Sequence, residues 1–194
     1  MPGRLPNPRP GAGAPWVIRL LPHPVAGGRP SGFRCSIAPV PFFFAYGARM
    51  SAENMTGDMP GAKAIGPARI DGYRLAFNVP NRSWGGGAAN AVPALGGHLW
   101  GILWEIGDGD LETFNSFRGD ESMRHVLEVE AEGPDGQVKA TTLAVDSPER
   151  FVAPTERYVA MLRAVAEAQG LPKEALQEID AAAKGGARGP TPSI

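Results

Sequence analysis

Runs of apolar residues in the middle of the chain have the length and periodicity of β-strands. Residues 42–46 form a continuous apolar run that ends at Gly47. The shortness and aromatic content of this run favour a fully buried strand over a helix. Residues 73–79 alternate between apolar and polar side chains, which predicts a half-buried strand. Residues 98–106 are almost entirely apolar and predict a third strand.

A β-hairpin is predicted further along the chain. Residues 126–130 and 138–145 alternate in polarity on either side of the sequence Gly-Pro-Asp-Gly at 133–136. This is the pattern of two strands joined by a tight turn. No internal repeat accompanies it.

The helical patterns lie mainly near the end of the chain. Thr155 is a suitable N-cap for a helix that ends at Gly170, and Pro172 then starts a second helix. A shorter helix is predicted over residues 110–117, with acidic residues at its start. Consecutive strands with segregated helices predict an α+β fold, a mixed sheet curled into a small barrel with flanking helices.

Composition divides the chain into one globular segment and two tails. Residues 1–40 contain nine prolines and six glycines, which remove backbone donors and bury little apolar surface. We expect residues 1–40 to be a disordered extension, residues 41–183 to form one domain and residues 184–194 to be a flexible tail. The extension is either dispensable, following a start codon assigned too far upstream, or an arm whose arginines touch RNA, anionic lipid or an import receptor.

Charge and cysteine content limit the classes of partner and compartment. Outside residues 1–40, which hold five arginines, the chain has 14 basic and 20 acidic residues. An acidic domain does not favour a nucleic-acid groove, because such grooves neutralise phosphates. Cys35 is the only cysteine, which suits a reducing compartment. The apolar run 16–21 is too short to span a bilayer or to form a signal-peptide core, so a cytoplasmic protein without a membrane partner is expected.

Two segments are candidates for ligand binding. The corner at residues 44–50 ends a buried strand at a glycine, which leaves backbone N–H groups that can converge on a carboxylate or carbonyl oxygen. An ordinary tight turn is the alternative. Residues 84–93 contain three glycines beside Trp84, so the backbone there can approach either a ligand or a crossing strand.

We expect neither a metal nor a cofactor. His125 and Glu128 are three residues apart on a predicted strand, so they point to opposite faces and cannot share an ion. The glycine-rich segment lacks the Lys-Ser or Lys-Thr of a phosphate loop and the strand, spaced glycines and helix start of a dinucleotide site.

Six segments in order over about 135 residues resemble the γ-glutamylcyclotransferase superfamily, which includes avirulence-induced plant proteins. Residues 44–47 resemble the family's substrate loop, residues 72–77 its second strand and residues 84–93 its glycine-rich segment. Residues 100–104 resemble the next strand, residues 110–114 the short helix, and residues 153–172 the region of the last helices. It implies the family's α+β fold. It also implies a substrate pocket that includes Phe44, Ala45, Tyr46, Gly47, Ala48, Arg49, Trp84 and Gly86.

The resemblance also implies a reaction. In this family the α-amino group of a γ-glutamyl unit attacks its own γ-carbonyl and releases an amine and 5-oxoproline. Such a reaction needs N–H donors for the oxyanion and a base that moves the proton. The family's base is a glutamate that precedes a glycine after the short helix.

The chain departs from the family pattern at this position. Arg118 precedes Gly119 where the family has its glutamate, and Ala48 and Arg49 stand where it usually has Ser-Asn. Met123 stands near the place of a frequent tyrosine. A guanidinium stays protonated and cannot accept the proton of the amine. The loss of a general base typically lowers the rate by about 10²–10⁴-fold.

Three interpretations remain open from the sequence. Asp120 or Glu121 replaces the missing base and leaves a weakened cyclotransferase. Alternatively, Arg49 and Arg118 converge on one cavity and bind a small acidic or γ-glutamyl-like metabolite through charge-assisted hydrogen bonds, which makes a binding protein or an enzyme whose chemistry needs a cation. In the third interpretation, Arg118 is a solvated surface residue and the cavity is vestigial.

Overall fold

A computed structural model describes residues 41–107, 109–110, 124–147 and 149–185 of the chain. The described part of the chain begins with strand β1 (Phe42–Ala45), a short 3-10 turn (Ala48–Met50) and helix α1 (Ala52–Asp58). Four strands follow: β2 (Lys63–Asn81), β3 (Gly86–Glu105), β4 (Arg124–Gly133) and β5 (Gly136–Val145). The last elements are helices α2 (Glu156–Ala168) and α3 (Lys173–Ala183).

The five strands form a closed barrel in the order β1-β3-β2-β4-β5. Four pairs are antiparallel, and β1 closes the barrel by pairing with β5 in parallel at Phe43 and Thr141. The predicted α+β class and mixed, curled sheet are therefore confirmed.

Strands β2 and β3 are much longer than the sequence pattern predicts. They form one bent hairpin whose register shifts between Asp71 and Tyr73, where β3 carries a bulge between Pro93 and His98. Gly96 in this bulge has φ +71°, a conformation that favours glycine. The strands predicted at residues 73–79 and 98–106 lie on opposite sides of the bend, so each captures only part of a continuous strand.

The core lies inside the barrel and beneath the helices. It is made of fully buried side chains from β1, β2 and β3 together with Met55 and Met59 of the α1 region and Tyr158 and Leu162 of α2. The two terminal helices occupy the predicted positions, and the Thr155 side chain accepts a hydrogen bond from the N–H of Tyr158. The hairpin of β4 and β5 is also confirmed.

Helix α1 is an element that the sequence analysis did not predict. It has seven residues and contains Thr56 and Gly57, neither of which favours helix formation. Its buried Met55 anchors it to the core, so tertiary packing rather than local preference stabilises it. The helix predicted at residues 110–117 lies almost wholly outside the described residues.

Candidate functional site

A cavity of about 310 Å³ lies where the end of β1 meets the 3-10 turn. Its wall also includes residues of α1, the ends of β2 and β5, the starts of β3 and β4, and Tyr158 of α2. Seven of the eight predicted substrate-binding residues line this cavity: Phe44, Ala45, Tyr46, Gly47, Ala48, Arg49 and Trp84. The structure thus brings the predicted corner and Trp84 together.

The corner at Gly47 is built by local hydrogen bonds. Met50 N donates to Gly47 O over 2.9 Å, and Ser51 N donates to Ala48 O over 3.1 Å. The side-chain amide of Asn54 donates to Ala48 O over 3.0 Å. A Cβ at position 47 would contact the Tyr158 hydroxyl at 3.6 Å, so a glycine there leaves room at the cavity wall.

Gly86 is the one predicted substrate-binding residue that does not line the cavity. A Cβ at this position would lie 2.6 Å from Ala153 O, and one at Gly87 would lie 2.0 Å from Val152 O. Gly87 N also donates to Ala153 O over 2.9 Å. Of the two alternatives left open by the sequence, the glycines therefore accommodate a crossing backbone segment.

The hydroxyl of Tyr46 is committed to the protein itself. It donates a hydrogen bond to Leu143 O, which joins the end of β1 to β5. Burial raises the pKa of Tyr46 well above its ordinary value, and the N–H of Ala91 and the charges of Arg49 and Arg124 partly oppose this shift. Tyr46 therefore remains a neutral donor and contributes its ring to the cavity wall.

Tyr158 is a cavity residue that the site prediction missed. Its ring lies 4.5 Å from the ring of Trp84, and its hydroxyl accepts a hydrogen bond from Ala89 N over 3.3 Å. Burial raises its pKa, which the N–H groups of Ala89 and Ala48 partly offset. A helix was predicted between Thr155 and Gly170, but only the fold places Tyr158 of this helix beside Trp84.

Charged side chains of both signs line the cavity. Arg49 Nε donates to Asp58 Oδ2 over 2.7 Å, and these side chains are 26% and 39% exposed. Arg124, at the start of β4, is a second cation in the lining. Asp58 is the only carboxylate among the described lining residues. Neither Asp58 nor Arg124 was predicted, because α1 and the β4 register bring them in from separate parts of the chain.

Thr142 provides an unpaired hydroxyl in the cavity lining. The residue is 1% exposed, and its Oγ1 has no hydrogen-bond partner among the residues that the structure describes. A buried hydroxyl usually has a partner. Its neighbour Thr141 follows this rule, since its hydroxyl donates to Phe42 O over 3.2 Å.

Several solved structures share this architecture. A structure named gamma-glutamyl cyclotransferase superposes with a TM-score of 0.66 at 23% identity, covering 73% of this chain and 86% of its own. YkqA from Bacillus subtilis superposes with a TM-score of 0.62 at 22% identity, covering 74% of this chain and 54% of its own. At these sequence identities the similarity shows a shared fold only.

Sequence relatives agree with the structural likeness. A gamma-glutamylcyclotransferase of Bos taurus is 26% identical over 137 residues, which are 68% of this chain and 73% of the relative. The Homo sapiens protein of the same name is 24% identical over 144 residues, which are 72% of this chain and 77% of the relative. The resemblance to the γ-glutamylcyclotransferase-like superfamily is therefore confirmed in sequence and in fold. No family model matches the chain.

The structure does not describe the predicted catalytic positions of this chain. Arg118, Asp120 and Glu121 all lie in the segment 111–123, outside the described residues. Their roles stay predictions. Within the described ranges, no three His, Cys, Asp or Glu side chains cluster as a metal site, and no helix is long and apolar enough to cross a membrane.

Proposed function

We propose that the cavity binds a small metabolite with an acidic, γ-glutamyl-like group, and that the chain lacks the standard 5-oxoproline-forming activity. The observation that carries the proposal is the presence of two arginines, Arg49 and Arg124, in one cavity whose described wall has a single carboxylate. That carboxylate, on Asp58, is already paired with Arg49. The described wall of the cavity therefore contains two cations and one carboxylate.

A guanidinium in a partly enclosed site favours an anionic ligand. Arginine is always protonated and holds carboxylates through several N–H donors in a fixed plane. Arg49 and Arg124 both lie near enough to the Tyr46 hydroxyl to influence its pKa, so their fields act on the same region. A ligand carboxylate in this region would replace water with charge-assisted hydrogen bonds.

The size of the cavity supports a small ligand. Its volume of about 310 Å³ is at the lower end of the range for small-molecule sites, about 300–1,000 Å³. Trp84 and Tyr158 supply apolar ring surface on the wall, while backbone and hydroxyl groups supply polar contacts. This combination fits a dipeptide-sized molecule better than a macromolecular segment.

The proposed absence of standard activity rests on the residue at the family's catalytic position. Arg118 stands where the family resemblance places a glutamate, and an arginine cannot accept a proton at neutral pH. The Asp58 carboxylate already accepts a hydrogen bond from Arg49 Nε over 2.7 Å. The chain as proposed therefore retains a binding cavity and lacks the base.

Equilibrium binding and turnover together test this proposal. Wild-type protein is titrated with γ-glutamylalanine, with glutarate and with the uncharged glutaramide, and 5-oxoproline is measured in the same samples. We expect saturable binding of the two acidic probes, no binding of glutaramide, and no 5-oxoproline above background. Loss of binding to both acidic probes in Arg49→Met would place them in the cavity.

Two results would contradict the proposal in different ways. Equal binding of glutaramide and glutarate would show that the acidic group is not recognised. Turnover by the wild type that is abolished by Glu121→Gln or Asp120→Asn would instead establish a weakened cyclotransferase with a substitute base. The relatives named gamma-glutamylcyclotransferase give that second outcome its chemical precedent.

The cellular setting is proposed from composition. A lone cysteine and a small metabolite ligand suit a cytoplasmic protein. A fraction-by-fraction immunoblot of cells that make the full chain tests this location.

A further inference from the structure

Resting on the proposed function for its effect on ligand binding, we propose that Asp110 is a positioning residue of the cavity. Its buried carboxylate fixes the segment that leaves helix α1, and through α1 it holds Asp58 and therefore the Arg49 guanidinium in place. Asp110 itself does not line the cavity. It acts on the ligand only through the Asp58–Arg49 pair.

The first support is the burial of the Asp110 side chain. Asp110 is 5% exposed, and it is the only charged residue among the buried residues that the structure describes. A buried carboxylate is unfavourable unless hydrogen-bond donors replace the water that it has lost. Its burial therefore indicates a specific contact rather than general core packing.

The second support is the pair of donors that this carboxylate binds. Asp110 Oδ1 accepts from Gly61 N over 3.1 Å, and Oδ2 accepts from Gly107 N over 2.9 Å. Gly107 follows the end of β3, where Ile106 N donates to Pro41 O over 3.0 Å. Gly61 follows the end of α1. The carboxylate therefore ties the exit of α1 to the barrel wall through two charge-assisted hydrogen bonds.

The third support is the short path from Gly61 to the cavity. Ala62 N donates to Met59 O over 3.0 Å, which closes a turn that contains Gly61. Asp58 is the last residue of α1, immediately before this turn, and it accepts from Arg49 Nε over 2.7 Å. A shift of the turn would therefore move the Asp58 carboxylate and change where it holds Arg49.

Helix α1 depends on contacts of this kind. Among the described elements its main contact is with the 3-10 turn, and Met55 is its one buried side chain. A helix of seven residues is not stable through its own hydrogen bonds alone. The hydrogen bond from Gly61 to Asp110 is therefore one of the contacts that decide where α1 places Asp58.

Two variants disturb this contact from opposite sides, and a third is a matched control. Asp110→Asn removes the charge and one acceptor oxygen. Gly61→Ala keeps the charge but crowds it, because a Cβ there would lie 2.7 Å from Asp110 Oδ2, so it tests the contact even if Asp110→Asn does not fold. Gly57→Ala is the control within α1, since a Cβ at position 57 meets no described atom within 4 Å and alanine favours a helix.

Exchange of the Arg49 Nε proton with water reports the state of the pair without any ligand. In isotope-labelled protein, its NMR resonance is assigned by its absence in Arg49→Met. We expect exchange to be about 5-fold faster or more in Asp110→Asn and Gly61→Ala than in wild type, and unchanged in Gly57→Ala. Wild-type exchange in both Asp110→Asn and Gly61→Ala would overturn the inference.

Glutarate affinity measures the consequence for the cavity. In calorimetric titrations we expect Asp110→Asn and Gly61→Ala to bind glutarate about 3- to 10-fold more weakly than wild type, and Gly57→Ala to bind it as wild type does. In an Asp58→Ala background, where Arg49 has already lost the Asp58 carboxylate, Asp110→Asn should change the affinity by less than about 2-fold.

The two readouts separate the inference from the proposed function. An equal loss of glutarate affinity in the wild-type and Asp58→Ala backgrounds would mean that Asp110 does not act through Asp58, which overturns the inference and leaves the proposed function intact. Failure of the wild type to bind glutarate would refute the proposed function, while proton exchange would still decide whether Asp110 positions Arg49.

Discussion

Arg49 Nε, in the 3-10 turn, donates to Asp58 Oδ2 at the end of helix α1. Both residues line the cavity, so the Asp58 carboxylate holds the Arg49 guanidinium in place at the cavity wall. The pair ties the end of β1 to the end of a helix that local sequence preferences do not favour. Arg124 is the other cation among the described lining residues.

Neutralising Asp58 should strengthen the binding of acidic ligands. Asp58→Asn removes the negative charge from the described wall, so we expect glutarate to bind about 2- to 5-fold more tightly at low ionic strength. The gain should shrink in 0.5 M salt, because exposed charges are screened. Isothermal titration at both salt concentrations measures this effect.

A second ion pair provides the control for Asp58→Asn. Arg163 pairs with Asp180 between α2 and α3, away from the cavity lining. Asp180→Asn should lower the free energy of unfolding by about 0–1 kcal/mol, as expected for a partly exposed pair, and should leave glutarate affinity unchanged. Weaker glutarate binding in Asp58→Asn would mean that orientation of Arg49 outweighs the charge of Asp58.

Tyr46→Phe should affect stability more than binding. The Tyr46 hydroxyl donates to Leu143 O in the buried barrel wall, so its removal should lower the free energy of unfolding by about 1–2 kcal/mol. The ring remains, and we expect γ-glutamylalanine affinity to stay within about 2-fold of wild type. Urea denaturation and titration of the same variant test both expectations. Unchanged stability with a large loss of affinity would show that the hydroxyl contacts the ligand.

Asn90 should be among the most sensitive polar positions of the barrel. Its side-chain amide donates to Val145 O over 2.8 Å and accepts from Val145 N over 2.9 Å, which links β3 to β5. Because Asn90→Ala leaves two backbone groups unpaired, we expect a loss of about 2–4 kcal/mol in the free energy of unfolding. Urea denaturation checks this value, and Asn54→Ala, which removes one partly buried bond, should cost less.

Many strands and helices were predictable from the sequence, because apolar periodicity, turn residues and helix caps act locally. Examples are the hairpin around Gly133 and the helices after Thr155 and Pro172. The full length of β2 and β3 was not predictable, because their bend and bulge depend on how the two strands pair with each other. The corner at Gly47 was predicted as a binding segment, and it lines the cavity. Four other lining residues come next to this corner only when the chain folds: Asp58, Arg124, Thr142 and Tyr158. No spacing in the sequence predicts that they meet there.

Glu178 should make stability depend on pH. Burial raises its pKa above the ordinary value of about 4.5, and hydrogen bonds from the N–H groups of Leu75 and Trp100 and the charge of His98 partly offset the shift. A raised pKa in the folded state means that the folded protein binds this proton more tightly than the unfolded chain. Its contribution to stability is therefore largest below pH 4.5 and declines as pH rises through the folded pKa.

A neutral substitution isolates this effect. Glu178→Gln keeps an oxygen that can accept from Leu75 N and carries no charge to desolvate. We expect this variant to melt at a higher temperature than wild type at pH 7, with the difference closing below pH 4.5. Thermal unfolding across pH 4 to 8 measures it. A difference that widens toward low pH would contradict the assigned direction of the shift.

The most direct test of the central claim is the rate of 5-oxoproline release from γ-glutamylalanine by Arg118→Glu, with Arg118→Gln as the control that removes the cation without supplying a base. We predict no release above background by the wild type or by Arg118→Gln, and a rate at least about 10²-fold higher in Arg118→Glu. Release by the wild type at a rate that Arg118→Glu does not increase would contradict this prediction.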